Sequence, residues 1–494
     1  MASGLTIPER ALQLFQNAEI LAPMVRASTT PLRSLAISYG CDLVYSEEII
    51  DRAISSTERV YNETIGTIDY RRKMESFSAK VQRRMTKNND PLHTVIRIDP
   101  ELERNKLIFQ LGTGEANLAL PAALMVQNDV DGIDINMGCP KGFSVSGGMG
   151  SALLEDLPRA CDVVSTLSRN VSVPISCKIR LLKDDTKTVD FVTALVKAGA
   201  SAIAIHGREV GDTAQQAAQL DRLVGVVKLL KSSSIGVPII INGDMYTRNE
   251  MVNLRRRSGA DAVMLARPAL YNTSIFRKPR VNINANGQKV GYESQEEETR
   301  YGYDSKLLLS KTQVIQDYLE HAKAYDGYVK NIKYVVCEMM TNRRTPTNLS
   351  SFMPTQTFSR GQTIADICKC RSMESLRKIW DVSRSAAVSS ASQVDYGEES
   401  IGAVDLHTYD DRYFLDPEAL RKEQEVKEVG SRKETEKETA CYDKSINSER
   451  SIQKRKMEDL SFSGSGLLPN TISCEYLLYV SLSPVQIIFI SFSH

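Results

Sequence analysis

A thiol leaving a buried strand onto a glycine-rich loop is the strongest chemical signal in this 494-residue sequence. Residues 132–154 read GIDINMGCPKGFSVSGGMGSALL. Ile133 and Ile135 suit a strand, Asn136-Met137-Gly138 breaks it, and Cys139 follows, pinned by Pro140 and accompanied by Lys141. Gly147, Gly148 and Gly150 predict a flap able to open and close, because glycine takes positive φ without steric cost. A cysteine met alone is more often a small core hydrophobe than a reagent. Here it falls on a loop placed by a scaffold, where chemistry concentrates. With an ordinary pKa of about 8.5, such a thiol is mostly protonated at neutral pH and can act as a general acid.

Other polar groups fall at the ends of apolar runs in the same way: Met24, Glu47, Gln110, Asn136, Lys178, His206, Asn242 and Arg267. Arg267 is suited to phosphate by its forked guanidinium, and backbone amides after Asn242 could complete a cradle. Each residue also has a bland reading. His206 taken alone would be a satisfied structural histidine, Lys178 a rim lysine, and Cys161 and Cys177 core packing. Glu47 and Glu48 could bind a ribose hydroxyl or merely cap, and they stay outside the expected site.

The elements that must position these groups alternate. Eight apolar runs read as strands: 20–25, 42–46, 107–111, 132–136, 173–180, 202–206, 237–243 and 262–266. Helical periodicity fills 31–39, 115–127, 159–168, 189–198, 221–231 and 248–258 between them. Gly40, Gly199, Gly236 and Gly259 close such stretches just before the next strand, as a helix C-terminal glycine should. Strands alternating with helices imply parallel pairing. Eight units in about 250 residues match a (β/α)8 TIM barrel, whose active site lies at the carboxyl ends of its strands. A doubly wound open sheet is the competing architecture. Residues 48–106 are a long insertion, within which Thr94–Ile98 suits a small hairpin.

Three domains are expected: a catalytic barrel over 1–300, a helical domain over 301–385, and a charged, low-complexity tail over 386–494. A hydrophobic content of 42% with 25% charged residues is ordinary for a soluble globular protein. Nine cysteines without paired spacing favour reduced thiols and a cytoplasmic setting. The first residues lack an apolar leader, so no signal peptide is expected. The net charge of +1 hides an asymmetry, with +5 over 303–385 and −7 over 386–494. The helical segment offers Lys330, Lys333, Arg343, Arg344, Arg360, Arg371 and Arg377 to a polyanion, or to solvent. The tail reads as disorder or a solvated helix. Its apolar end, 476–492, contains Pro484 and three serines, which makes it too short and broken for a membrane span.

Six ordered motifs carry a family resemblance: LAPMVR at 21–26, FQLGT at 109–113, DINMGCPK at 134–141 with GGMGSALL at 147–154, CKIR at 177–180, IHGR at 205–208 and INGD at 241–244. In order and spacing these resemble the tRNA-dihydrouridine synthases, across residues 19–276 and more weakly to about 345. The APMV and YSEE segments, with the form of CPK-x(5)-GGMG, most resemble the eukaryotic class acting at position 20 of the D-loop. Ala266-Arg267 departs from that family's more usual Gly-Arg, and 386–494 shows no double-stranded-RNA-binding domain. The resemblance implies FMN at the barrel mouth, NADPH or NADH as reductant, tRNA as substrate, and no obligate protein partner. By motif position Pro23 and Met24 would border the flavin ring. Gln110, Lys178 and His206 would meet its polar edge and face, and Asn242, Gly243, Asp244, Ala266 and Arg267 would hold its phosphate end. Asn136 and Arg208 would address the uracil, Cys139 would donate a proton to it, and Lys330 and Lys333 would contact the tRNA. Two alternatives remain open: an FMN-dependent dihydroorotate or dihydropyrimidine oxidoreductase, and a flavin-less RNA-binding scaffold.

Overall fold

A computed structural model describes residues 5–73, 94–278, 308–341, 358 and 361–380. Residues Met1–Gln393 form one compact unit, so barrel and helical segment share it. The second unit, Val394–His494, lies outside the described residues, as do Arg343, Arg344, Arg360 and the apolar end at 476–492.

Eight parallel strands close on themselves. In chain order the strands are β1 (Glu19–Leu21), β2 (Leu43–Tyr45), β3 (Ile49–Ile50), β4 (Thr57–Asn62), β5 (Thr67–Arg72), β6 (Thr94–Ile98), β7 (Leu107–Gly112), β8 (Gly132–Asn136), β9 (Ile175–Arg180), β10 (Ala202–His206), β11 (Ile239–Asn242) and β12 (Ala262–Leu265). Hydrogen bonding runs β2-β1-β12-β11-β10-β9-β8-β7, and β2 pairs with β7 to complete the ring. All eight expected runs are barrel strands, and the closed ring excludes the open sheet. The strands read as near-continuous apolar runs because one face meets the barrel interior and the other the helices. Gly40, Gly199, Gly236 and Gly259 all have positive φ, as required of residues that turn a helix back into a strand.

The amino-terminal end of the barrel is plugged by helix Ile7–Phe15, whose Ala11 and Phe15 join the inward side chains Ile20, Leu43, Ile108, Ala202, Ile240 and Ala262. This helix carries a capping box, Thr6 with Glu9, and Pro8 in its first turn. The insertion folds into an antiparallel sheet, β4-β5-β6, rather than the hairpin expected around Thr94–Ile98.

Helices Lys311–Ala324 and Val329–Thr341 pack onto the barrel. The first lies along helix Thr30–Ser38, joined to it by Ser34 to His321 at 2.7 Å and by Tyr39 donating to Asp317 at 2.5 Å. Tyr325 donates to Asp99 at 2.6 Å, and Arg97 donates to the Tyr325 carbonyl and pairs with Asp69. The small sheet is thereby tied to the helical segment.

Candidate active site

Strand register gathers the polar groups before any side chain moves. Asn136 pairs with Lys178 across β8 and β9, Arg180 with His206 across β9 and β10, and His206 with Asn242 across β10 and β11. All lie in the carboxyl-terminal halves of their strands, at the face where this fold places its chemistry. Pro23 and Met24 form the half-buried turn after β1, and Ala266 and Arg267 follow β12 at the same end.

Cys139 is half-buried, three residues beyond β8. Its loop is fixed on both sides. The Asn136 side-chain oxygen accepts from the Gly138 amide at 3.0 Å, and Arg180 Nε donates to the Gly138 carbonyl at 2.7 Å. The Ser151 amide donates to the Cys139 carbonyl at 3.0 Å. The glycines that follow serve close packing rather than the free hinge expected of them. A Cβ on Gly150 (φ +60°) would lie 2.6 Å from the Cys139 carbonyl oxygen and 2.4 Å from Ser144 Oγ, while one on Gly114 would lie 2.6 Å from the Gly148 carbonyl. Burial raises the Cys139 pKa, and the nearby Glu48 carboxylate raises it further. The thiol form is favoured.

Across the mouth lies a crowd of cations. Lys178, burdened by burial and by Arg180, falls to about 8. His206 is held well below its ordinary value by burial and by the charges of Lys178, Arg180, Arg208 and Arg267, so its imidazole is neutral at physiological pH. Burial raises Asp134 to about 6, although Gln110 Nε2 donates to it at 2.8 Å and Ser176 Oγ at 2.7 Å. Gln110 is thus at least partly engaged with Asp134 beneath the mouth.

Asp244 holds two of the cations together. Its carboxylate accepts from Arg208 at 2.5 Å, from Arg267 at 2.7 Å and from the Ala218 amide at 2.7 Å. Arg208, only 3% exposed, also donates to the Gln216 carbonyl and meets His206 Nε2 at 3.3 Å. Arg267 also donates to the Ala214 carbonyl at 2.5 Å. Asn242 Nδ2 donates to the Met264 carbonyl at 2.8 Å, and the space that a Gly243 Cβ would need is filled by Leu220. These groups form a rigid, prearranged floor. The mutual repulsion of four cations around a neutral histidine fits an anionic group such as a flavin phosphate or reduced flavin.

Lys330 and Lys333 lie on helix Val329–Thr341, outside the barrel strands. Lys330 is exposed beside the Tyr328 ring, at 6.0 Å. Lys333 donates to the carbonyls of Cys368 and Cys370, at 2.7 and 3.1 Å, and so caps helix Ile364–Lys369. Arg26 connects this helix to the mouth: two residues beyond Met24, its Nε donates to Asn331 at 3.3 Å and its guanidinium lies 4.6 Å from the centre of the Tyr334 ring.

Asp134, Ser144 and Arg180 escaped the sequence reading, and Glu48, weighed there only as a cap or a hydroxyl ligand, lies beside Cys139. Asp134 and Arg180 lie inside recognised motifs, DINMGCPK and CKIR, so the signal was available. Glu48 is separated from Cys139 in sequence and reaches it only through the fold.

A closed parallel barrel with a thiol facing a cationic cluster at its carboxyl end defines a (β/α)8 barrel of enzyme type. The chain belongs to the dihydrouridine synthase (Dus) family, whose profile matches residues 20–356. Among curated proteins it is similar to a tRNA-dihydrouridine(20) synthase (NAD(P)+) of Schizosaccharomyces pombe, 37% identical over 270 residues, which are 53% of this chain and 52% of that protein. The chain therefore spans about half the length of that relative. A Saccharomyces cerevisiae protein of the same name is 32% identical over 331 residues, 66% of this chain and 77% of the relative. A mouse (Mus musculus) protein named as tRNA-dihydrouridine(20a/20b) synthase-like is 30% identical over 264 residues, 53% of this chain and 69% of the relative. Among the described residues no helix is long and apolar enough to cross a membrane.

Proposed function

We propose that this chain reduces the C5–C6 double bond of a uridine in tRNA to dihydrouridine, using FMN and NADPH or NADH. The position-20 relatives favour that uridine. The observation that carries the reading is the cross-strand register of Asn136, Lys178, Arg180, His206 and Asn242, which sets a proton-bearing Cys139 against a cationic mouth.

Bound FMN, once reduced, supplies hydride to C6 of the uracil. Lys178 and neutral His206 would meet its ring, Pro23 and Met24 would border it, and Gln110 would meet its polar edge. Arg267, with the amides around Gly243 and Ala266, would hold its phosphate, while Asp244 keeps Arg267 and Arg208 in position. As negative charge develops on the uracil, Cys139 gives its proton to C5 from the face opposite the hydride source. Arg180 and Asn136 fix Gly138 and with it the loop that carries the thiol. A base must leave its stack to reach such a site. Exposed Lys330 is placed for a tRNA phosphate; Lys333 supports it structurally by capping the neighbouring helix.

The test is NADPH oxidation by the purified chain with unmodified tRNA, free orotate or free uracil. Turnover with tRNA alone is expected. Turnover with orotate or uracil would instead assign a small-molecule oxidoreductase, and a colourless protein without turnover would indicate an RNA-binding scaffold.

A further inference from the structure

Glu48 has no role in the reaction as described above, yet the fold goes to some length to place it. Directly after it, Ile49 and Ile50 of β3 pair in parallel with Leu111 and Gly112 of β7, which fixes the approach of Glu48 to the mouth. A Cβ on Gly112 would lie 2.9 Å from Glu48 Oε1 and 3.1 Å from its Cγ, so the absent side chain admits the carboxyl group. There Glu48 faces Asn136, Cys139 and Ser144. Glu48 Oε1 and Ser144 Oγ are both buried without a hydrogen-bond partner among the described residues. Buried polar atoms are almost always satisfied, and orphaned ones mark a missing water or a functional group. Both atoms leave polar capacity unused beside one thiol, and the carboxyl group is the one able to carry a proton to it.

We propose that Glu48 is a proton-relay residue: its charge keeps Cys139 a thiol, and it returns a proton to the thiolate after each turnover. The proposal rests on Cys139 being the proton donor to uracil. As C5–H forms, the Sγ–H bond breaks. Glu48, a carboxylate at rest, takes a proton from solvent as the thiolate charge appears and passes it on, S–H forming as O–H breaks; the carboxylate is restored and no electrons are exchanged. Burial raises the Glu48 pKa, which favours its transient protonation beside the thiolate.

The experiment compares the full chain with Glu48→Gln and Gly112→Ala, the latter displacing the carboxylate without removing it. Iodoacetamide labelling of the Cys139 peptide is followed by mass spectrometry across pH, a readout independent of turnover. Loss of the neighbouring negative charge should lower the labelling midpoint by about one pH unit, or roughly tenfold in thiolate at a fixed pH below it. Gly112→Ala should shift it in the same direction. In rapid mixing with tRNA, the first turnover of Glu48→Gln should stay within about twofold of the parent, because the thiol starts protonated, while later turnovers slow at least about tenfold. An unmoved midpoint, or equal slowing of first and later turnovers, overturns the relay. A parent chain that never reduces uridine while the labelling midpoint still shifts would refute the functional reading and leave the Glu48–Cys139 coupling standing.

Discussion

Arg180 Nε donates to the Gly138 carbonyl at 2.7 Å, immediately before Cys139 in the chain, and its NH1 donates to the Glu209 carbonyl at 2.8 Å. One guanidinium thus joins the thiol-bearing loop to the loop after β10. Arg180→Ala should cost about 1.5–3 kcal/mol for each charged hydrogen bond lost, unless water replaces it. The expected outcome is a lower melting temperature together with a kcat reduced more than tenfold, of order 1.4 kcal/mol or more in the barrier. Arg180→Lys should recover stability better than kcat, since an ammonium lacks the fork that reaches both carbonyls.

Asp244 is the sole acidic partner described between Arg208 and Arg267, both largely buried. Removing it takes a carboxylate partner from both cations, which costs about 3–5 kcal/mol at a buried pair. Asp244→Ala should therefore lose most of its stability in urea titration. A double variant, Asp244→Ala with Arg208→Met, should recover part of the loss; no recovery would show that the carboxylate acts by some route other than charge balance.

The buried Asp134 and Lys178 predict an unusual pH profile. Asp134 is raised to about 6, so between about 4 and 6 the folded chain binds more protons than the unfolded chain, and this group makes stability fall as pH rises through that window. Lys178 is lowered to about 8, so between about 8 and 10.5 the folded chain binds fewer protons, and this group makes stability rise with pH there. Denaturant titration of Asp134→Asn should show the acid-side slope flattened, and Lys178→Met the alkaline one. Slopes unchanged in both variants would mean that neither group is perturbed as described.

Lys330 and Lys333 are neighbours in sequence with different duties. Lys330→Glu should weaken tRNA binding and make the dependence of log affinity on log salt shallower by about one unit. Lys333→Ala removes donors to the Cys368 and Cys370 carbonyls and should chiefly lower stability. If Lys333→Ala instead weakens tRNA binding at unchanged melting temperature, its helix cap is incidental.

The barrel was legible because its strands, buried on both faces, stand out as apolar runs punctuated by glycines such as Gly199 and Gly259. Strand-exit residues were legible for a related reason: polar groups such as Lys178 and His206 interrupt those runs only at their ends. The helix Ile7–Phe15 was missed although Thr6, Pro8 and Glu9 spell its start, because a short amphipathic helix has little periodicity to read. Glu48 was noticed but left outside the site, because its neighbourhood with Cys139 cannot be read from sequence. Its approach to Cys139 depends on the β3–β7 register and on the missing side chain at Gly112, and neither is a local property of the chain. For Asp244 and Lys333 a motif position or a charge names a candidate but not its protein partners, which the structure supplies as Arg208 and Arg267 for the first and the Cys368 and Cys370 carbonyls for the second.

The central claim is that Cys139 supplies the proton to the reduced uracil. It is tested most directly by Cys139→Ala in two half-reactions, NADPH reduction of the bound flavin and its reoxidation by unmodified tRNA. The account predicts flavin reduction at the parental rate and loss of dihydrouridine formation by at least about a hundredfold, the typical worth of a general acid. Dihydrouridine formed at the parental rate by Cys139→Ala would contradict it.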